Sequence, residues 1–112
     1  MNIQIFGKSK CFDTKKATRY FKERGIKFQL IEVDKFGMSK GEYNNVKKAI
    51  GSMEAMIDST SKEYEKCFMA YLSKEDQEEK LLENPKLFKT PIVRNGKQAT
   101  IGYKPDVWKT WE

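Results

Sequence analysis

The sequence has no histidine anywhere in its 112 residues. That absence removes Ser-His-Asp and Cys-His catalysis and most zinc sites, and leaves any chemistry to cysteine, carboxylates, lysine and arginine. Cysteine is scarce as well. Cys11 and Cys67 are too few and too widely spaced for a disulfide framework or a metal cluster, so no metal is expected and each thiol has to be read alone. Long apolar runs are missing: nothing approaches the roughly 20 residues that a bilayer demands. Met1 leads straight into Asn2-Ile3-Gln4-Ile5-Phe6, with no basic region ahead of an apolar one. The expectation is a soluble, cytoplasmic protein with no membrane association.

What is present suits one compact domain over residues 1–112. By surface scaling, a chain of 13.1 kDa buries roughly two-thirds of its unfolded surface, enough for a core without staples. The 38% hydrophobic and 12% aromatic content excludes simple disorder, while 34% charged residues describe a wet surface. The net charge of +6 is local. Between Lys8 and Lys27, eight cations stand against Asp13 and Glu23, which accounts for the whole excess. A solvated helix face is one reading of that segment. It also contains Cys11.

Asn2 to Phe6 alternates like a strand, and Gly7-Lys8-Ser9-Lys10 breaks it. From about Asp13 to Arg24, Ala17, Tyr20, Phe21 and Arg24 recur at helical spacing, with Gly25 as the left-handed stop. Phe28 to Val33 reads as a second strand, parallel to the first and buried on both faces. A helical block follows over about residues 38–83. Ser39 and Glu42 form a capping box with a Met38–Tyr43 staple, and that helix ends at Gly51. Lys62 to Tyr71 carries Tyr64, Cys67, Phe68 and Tyr71 on one stripe, and Lys74 to Glu83 is capped by Ser73. Strands return at residues 91–94 and 98–102, joined through Asn95-Gly96 as a type I′ turn. Pro105 opens a last short helix that turns Val107, Trp108 and Trp111 to the sheet. The order β-α-β, helical insertion, β-β-α predicts an α/β fold of thioredoxin-like form, with a mixed four-stranded sheet.

In that arrangement Cys11 opens the first helix, where free N–H groups and the positive end of the macrodipole favour an anion. Lys8, Lys10, Lys15 and Lys16 add positive potential, and the thiolate is the nucleophilic form of cysteine. The competing reading makes Cys11 a small hydrophobe at a helix start. Cys67, on its apolar stripe, reads as inert core. Thr14 stands three residues after Cys11, where a dithiol motif has its second cysteine. Cys-Phe-Asp-Thr therefore closes no local disulfide, and a redox cycle needs an external thiol such as glutathione or a partner protein.

The stretch Phe6-Gly7-Lys8-Ser9-Lys10-Cys11-Phe12-Asp13-Thr14, the Arg24-Gly25-Ile26 helix end, and Asn84-Pro85 through Thr90-Pro91-Ile92-Val93 with Ile101-Gly102-Tyr103 resemble the arsenate reductase ArsC/Spx family. The resemblance covers nearly the whole chain, insertion included. It implies a reactive cysteine at Cys11 and a facing cis-proline at Pro91. Charge and position, rather than the resemblance, add Lys8, Lys10, Thr14, Lys15, Thr90 and Arg94 beside Pro91 as the candidates to bind thiol or anion. The resemblance also implies no tightly bound cofactor, glutathione as co-substrate, and glutathione or glutaredoxin as the reducing partner. Two departures stand out. The family's arginine immediately before Pro-Ile-Val is Thr90 here, and its other arginine would fall near Ser59-Thr60-Ser61, where there is none. Arginine's bidentate fork suits tetrahedral oxyanions, so the departures favour a glutathione-linked disulfide over arsenate. Spx-like members, which regulate transcription by contacting RNA polymerase, supply the non-enzymatic alternative, in which the basic helix is an interaction surface. Direct nucleic-acid binding is not expected, because no recognition motif accompanies the cations.

Overall fold

The computed structural model describes residues 1–111. Its centre is a four-stranded sheet in the order β2-β1-β3-β4, built from β1 (Ile3–Gly7), β2 (Phe28–Glu32), β3 (Ile92–Asn95) and β4 (Gln98–Ile101). β1 runs parallel to β2, while β1–β3 and β3–β4 are antiparallel. The sheet is therefore mixed, as the element order predicts.

Two-residue alternation along β1 sorts the core onto two faces. Ile3 and Ile5, with Val93 of β3, pack against Ala17, Tyr20 and Phe21 of α1 (Phe12–Glu23) and Trp108 of the C-terminal helix. Trp108 is the anchor of this face. Its ring sits 5.1 Å from both Tyr20 and Phe21, and its Nε1–H donates to Thr100 Oγ1 at 2.8 Å, so its one polar atom is satisfied inside the core. Phe6 and Ile92 face the opposite way, into the helical lobe, where they meet Val33, Tyr43, Val46, Met56, Met69, Leu81 and Phe88.

The lobe contains α2 (Val33–Phe36), α3 (Lys40–Ile50), α4 (Lys62–Lys66) and α5 (Lys74–Glu83). The predicted caps are in place. Ser39 and Glu42 complete their box, Ser61 and Ser73 each accept a backbone N–H of their own helix, and α3 ends on Gly51 at φ +86°. α3 is pinned to α5 by Glu78, which accepts from the Tyr43 hydroxyl and pairs with Lys47. The C-terminal helix, α6, covers Pro105–Lys109.

Four expectations need correction. β2 is an edge strand, so its parallel pairing does not bury both faces: Leu30 is 50% exposed. The helix expected over 62–71 stops at Lys66. Phe68 turns left-handed at φ +53°, and a 3-10 turn over Met69–Tyr71 buries Met69 instead. That change of phase throws Phe68 and Tyr71 outward, Tyr71 being 86% exposed, while Cys67 is half-buried at the helix end and packs against the core, as expected. The hairpin pairs Asn95 with Gln98, so its central residues are Gly96 and Lys97. Only Gly96 has positive φ, at +59°, which is the demand of a type II′ turn rather than I′. Finally, α6 is little more than one turn long and aims one residue inward. Trp108 is buried and Trp111 half-buried, while Val107 faces out.

Candidate active site around Cys11

The site begins where β1 ends. Gly7 passes so close to α1 that an added Cβ would lie 2.3 Å from Thr14 Cγ2, and only glycine permits that approach. The chain then turns through Lys8–Lys10, with the Cys11 N–H donating to the Lys8 carbonyl at 3.1 Å. Cys11 becomes the N-cap of α1 in extended conformation, and its side chain makes no capping hydrogen bond. The sulfur is half-buried and lies 3.6 Å from the Thr90 carbonyl oxygen. Thr90 precedes Pro91 through a cis peptide bond, as the resemblance implied. Residues from the two ends of the chain thus converge on one thiol.

Opposing forces set its acidity. Burial is the largest and pushes the thiol up. The hydroxyls of Thr14 and Thr90 and the backbone N–H groups of Thr14 and Asp13, which are placed to hydrogen-bond the thiolate once it forms, outweigh it, and the net shift is downward. Thr14 is 4% exposed and locked at the helix start, where its Oγ1 also accepts the Lys8 N–H at 3.4 Å. The position of the absent second cysteine is thus filled by a group that favours thiolate.

Lys8 has a different role from the one expected. Its Nζ donates to the Lys86 carbonyl at 2.7 Å and the Phe88 carbonyl at 2.8 Å, a clamp between the loop after β1 and the segment that leads to Thr90. Burial pulls the ammonium below its ordinary value, against the opposing charges of Asp58, Asp34 and Cys11. Two of its three N–H groups are committed to backbone, so Lys8 positions Thr90 more than it binds an anion.

A cleft of about 420 Å³ opens beside the sulfur, lined by Lys8, Lys10, Cys11, Asp58, Thr60, Lys89 and Thr90. Lys15 is not among these residues: its Nζ lies 5.7 Å from the Phe12 ring centroid, and it borders a separate small hollow behind Thr14. Arg94 is further removed. It stands across from Gln4 in the sheet register, with Nη1 donating to Gln4 Oε1 at 2.9 Å and Nε to the Gly96 carbonyl at 3.1 Å. Strand alternation and the distance from β1's C-terminal end keep it from the thiol.

Asp58 and Lys89 are cleft residues that the sequence reading does not select. Lys89 adjoins Thr90, which is a usable signal. Asp58 carries none, because its place depends on contacts between the insertion and the segment before β3. Ile57 forms an isolated antiparallel bridge with Phe88, Asp58 N–H donates to the Leu87 carbonyl at 2.8 Å, and Lys89 N–H donates to the Met56 carbonyl at 2.7 Å. Beside Ser59-Thr60-Ser61, where the resemblance set the family's other arginine, a short turn brings a carboxylate into the cleft lining instead.

Among the described residues, no helix is long and apolar enough to cross a membrane, and no cluster of three His, Cys, Asp or Glu side chains could hold a metal. An arsenate reductase from Vibrio cholerae superposes at a TM-score of 0.84 with 24% identity, over 96% of this chain and 94% of that one. The glutaredoxin-like protein NrdH-redoxin from Escherichia coli superposes at 0.53 with 18% identity, over 100% and 96%, which agrees with the thioredoxin-like fold. The global transcriptional regulator Spx 2 of Oceanobacillus iheyensis is 26% identical over 109 residues, 95% of this chain and 80% of the regulator. The fold, the thiol at the start of α1 and the cis-proline facing it coincide with a match to the ArsC family over residues 6–111, and the chain belongs to that family.

Proposed function

We propose that the chain is a cytoplasmic thiol-dependent reductase that acts on glutathione mixed disulfides through the Cys11 thiolate. The observation that carries this reading is the sulfur's setting: half-buried, pulled toward thiolate by Thr14 and Thr90, and open to a cleft. In the first step the Cys11 thiolate attacks the glutathionyl sulfur of a mixed disulfide. A Cys11–glutathione disulfide forms, and the substrate leaves as thiolate. Thr14 stands where a resolving cysteine would be, so a second thiol, glutathione or a glutaredoxin, attacks that adduct. It releases Cys11 and leaves as the new disulfide, and the external thiols supply both electrons. No tightly bound cofactor enters the cycle.

Arsenate is the weaker candidate substrate. Capture of a tetrahedral oxyanion favours arginine forks, and the cleft lining has lysines, a carboxylate and Thr90, while Arg94 is committed to Gln4 and Gly96. Similarity to an Spx regulator over 95% of the chain supports the second reading, a non-enzymatic module that contacts RNA polymerase. Steady-state assays on wild-type protein with glutathione and glutaredoxin separate the possibilities. Turnover of a glutathione mixed disulfide is expected to exceed arsenate turnover, and to survive Cys67→Ser. Efficient arsenate reduction would show that lysines hold the oxyanion. No turnover of either substrate, together with binding to RNA polymerase, would give the protein to the regulator class.

A further inference from the structure

Positive charge outnumbers negative in the cleft, where Asp58 is the one lining carboxylate and its charge also acts on the Lys8 ammonium. Lys10 and Lys89 are exposed cations that enter no salt bridge among the described residues. Asp58 is half-buried and held by its own turn rather than by a lysine: Oδ1 accepts the Thr60 N–H at 3.0 Å and the Thr60 hydroxyl at 2.6 Å. Its backbone is locked as well, with its N–H on the Leu87 carbonyl and its carbonyl accepting the Ser61 hydroxyl at 2.8 Å. The carboxylate is therefore preorganised, and both hydrogen bonds use one oxygen, which leaves Oδ2 for a ligand. A tetrahedral oxyanion beside the thiolate would meet a second fixed negative charge here. A peptide thiol with a free α-ammonium and carboxylates would find a group of opposite sign for each. The cleft volume of about 420 Å³ lies in the roughly 300–1,000 Å³ range of small-molecule sites.

We propose that Asp58 is a specificity-determining residue: it receives the α-ammonium of an amino-bearing thiol such as glutathione, while Lys10 and Lys89 take its carboxylates. The inference deepens the reductase reading and names the ligand chemistry of the same site. A structural role in the turn is the rival explanation, and Asp58→Asn separates the two, because asparagine keeps an oxygen for Thr60 and loses only the charge.

Two measurements with defined probes test the proposal. In single turnover, Cys11 glutathionylation is followed by mass spectrometry with glutathione disulfide and with its N-acetylated counterpart. In steady state, KM and kcat are measured on the glutathione–2-mercaptoethanol mixed disulfide. Wild type is expected to react faster with the free-amine disulfide, by about fivefold, the worth of one solvent-accessible ion pair. Asp58→Asn should erase that preference and raise KM for the mixed disulfide with kcat unchanged. Equal rates for the two disulfides on wild type, or an unaltered preference in Asp58→Asn, would overturn the assignment whatever the turnover. Preference in single turnover without steady-state turnover would support Asp58 and overturn the reductase reading. Failure of Cys11 to form the adduct with either probe would overturn both.

Discussion

The start of α1 and the starts of the lobe helices solve the same problem in opposite ways. Each α-helix begins with backbone N–H groups that lack intrahelical partners. In α3, α4 and α5 the N-cap serines Ser39, Ser61 and Ser73 accept one of them, and Ser39 is backed by Glu42. α1 begins with Cys11, whose side chain makes no such bond in its neutral form. Its N–H groups favour negative charge on the sulfur instead, and the stabilisation that a serine would supply becomes available to the thiolate. The serine-capped helix starts are closed by their own side chains, and the start of α1 is left open.

The largest break in that comparison is Cys11→Ser, which makes α1 resemble its neighbours. Disulfide turnover should disappear, while the melting temperature should hold or rise, since a serine N-cap is worth about 0.5–2 kcal/mol over a non-capping residue. A fall of several degrees would mean that the thiol is structural.

Gly7→Ala tests the close approach that places α1 against β1. A methyl group there displaces the buried Thr14 side chain. Chemical denaturation should report a loss of about 1–3 kcal/mol, the usual cost of overpacking a core, together with slower alkylation of Cys11. The same measurements on Ser39→Ala sharpen the contrast: about 1 kcal/mol lost from a cap and an unaltered alkylation rate.

The smallest effect is in the pH dependence. Alkylation of Cys11 should show a midpoint below its ordinary value of 9.0, and Thr14→Val should move that midpoint up by removing a hydroxyl that favours thiolate. Stability follows from the same shift. Between the folded and unfolded values of this thiol the unfolded chain holds more protons, so its contribution grows as pH rises through that window and is lost as pH falls through the folded value. Urea titrations of wild type and Cys11→Ala at pH 6 and pH 9 should diverge in wild type's favour at the higher pH. Parallel curves would remove the thiolate from the argument.

Much of this molecule follows from local chemistry. The serine caps and the Ser39–Glu42 box, the Gly25 and Gly51 stops, the alternation of Ile3 and Ile5, and a cysteine at the start of a basic helix all act within a few residues, where spacing carries the information. The mixed sheet and the Cys11–Thr90–Pro91 meeting were legible from element order and family resemblance together. The misread positions depend on partners far away in the chain. Whether β2 is covered depends on its edge position in the sheet, and the inward residue after α4 depends on one left-handed turn at Phe68. The thiol cleft depends on such contacts most of all. Lys8 becomes a clamp because the carbonyls of residues 86 and 88 are folded onto it, and Asp58 reaches the sulfur's neighbourhood because residue 57 pairs with residue 88. Local sequence accounts for a cysteine at the start of a basic helix and for a threonine where a second cysteine would stand. Tertiary structure alone decided which charges surround that cysteine, because side chains about 50 and 80 residues away take their direction from long-range backbone pairing that no local spacing records.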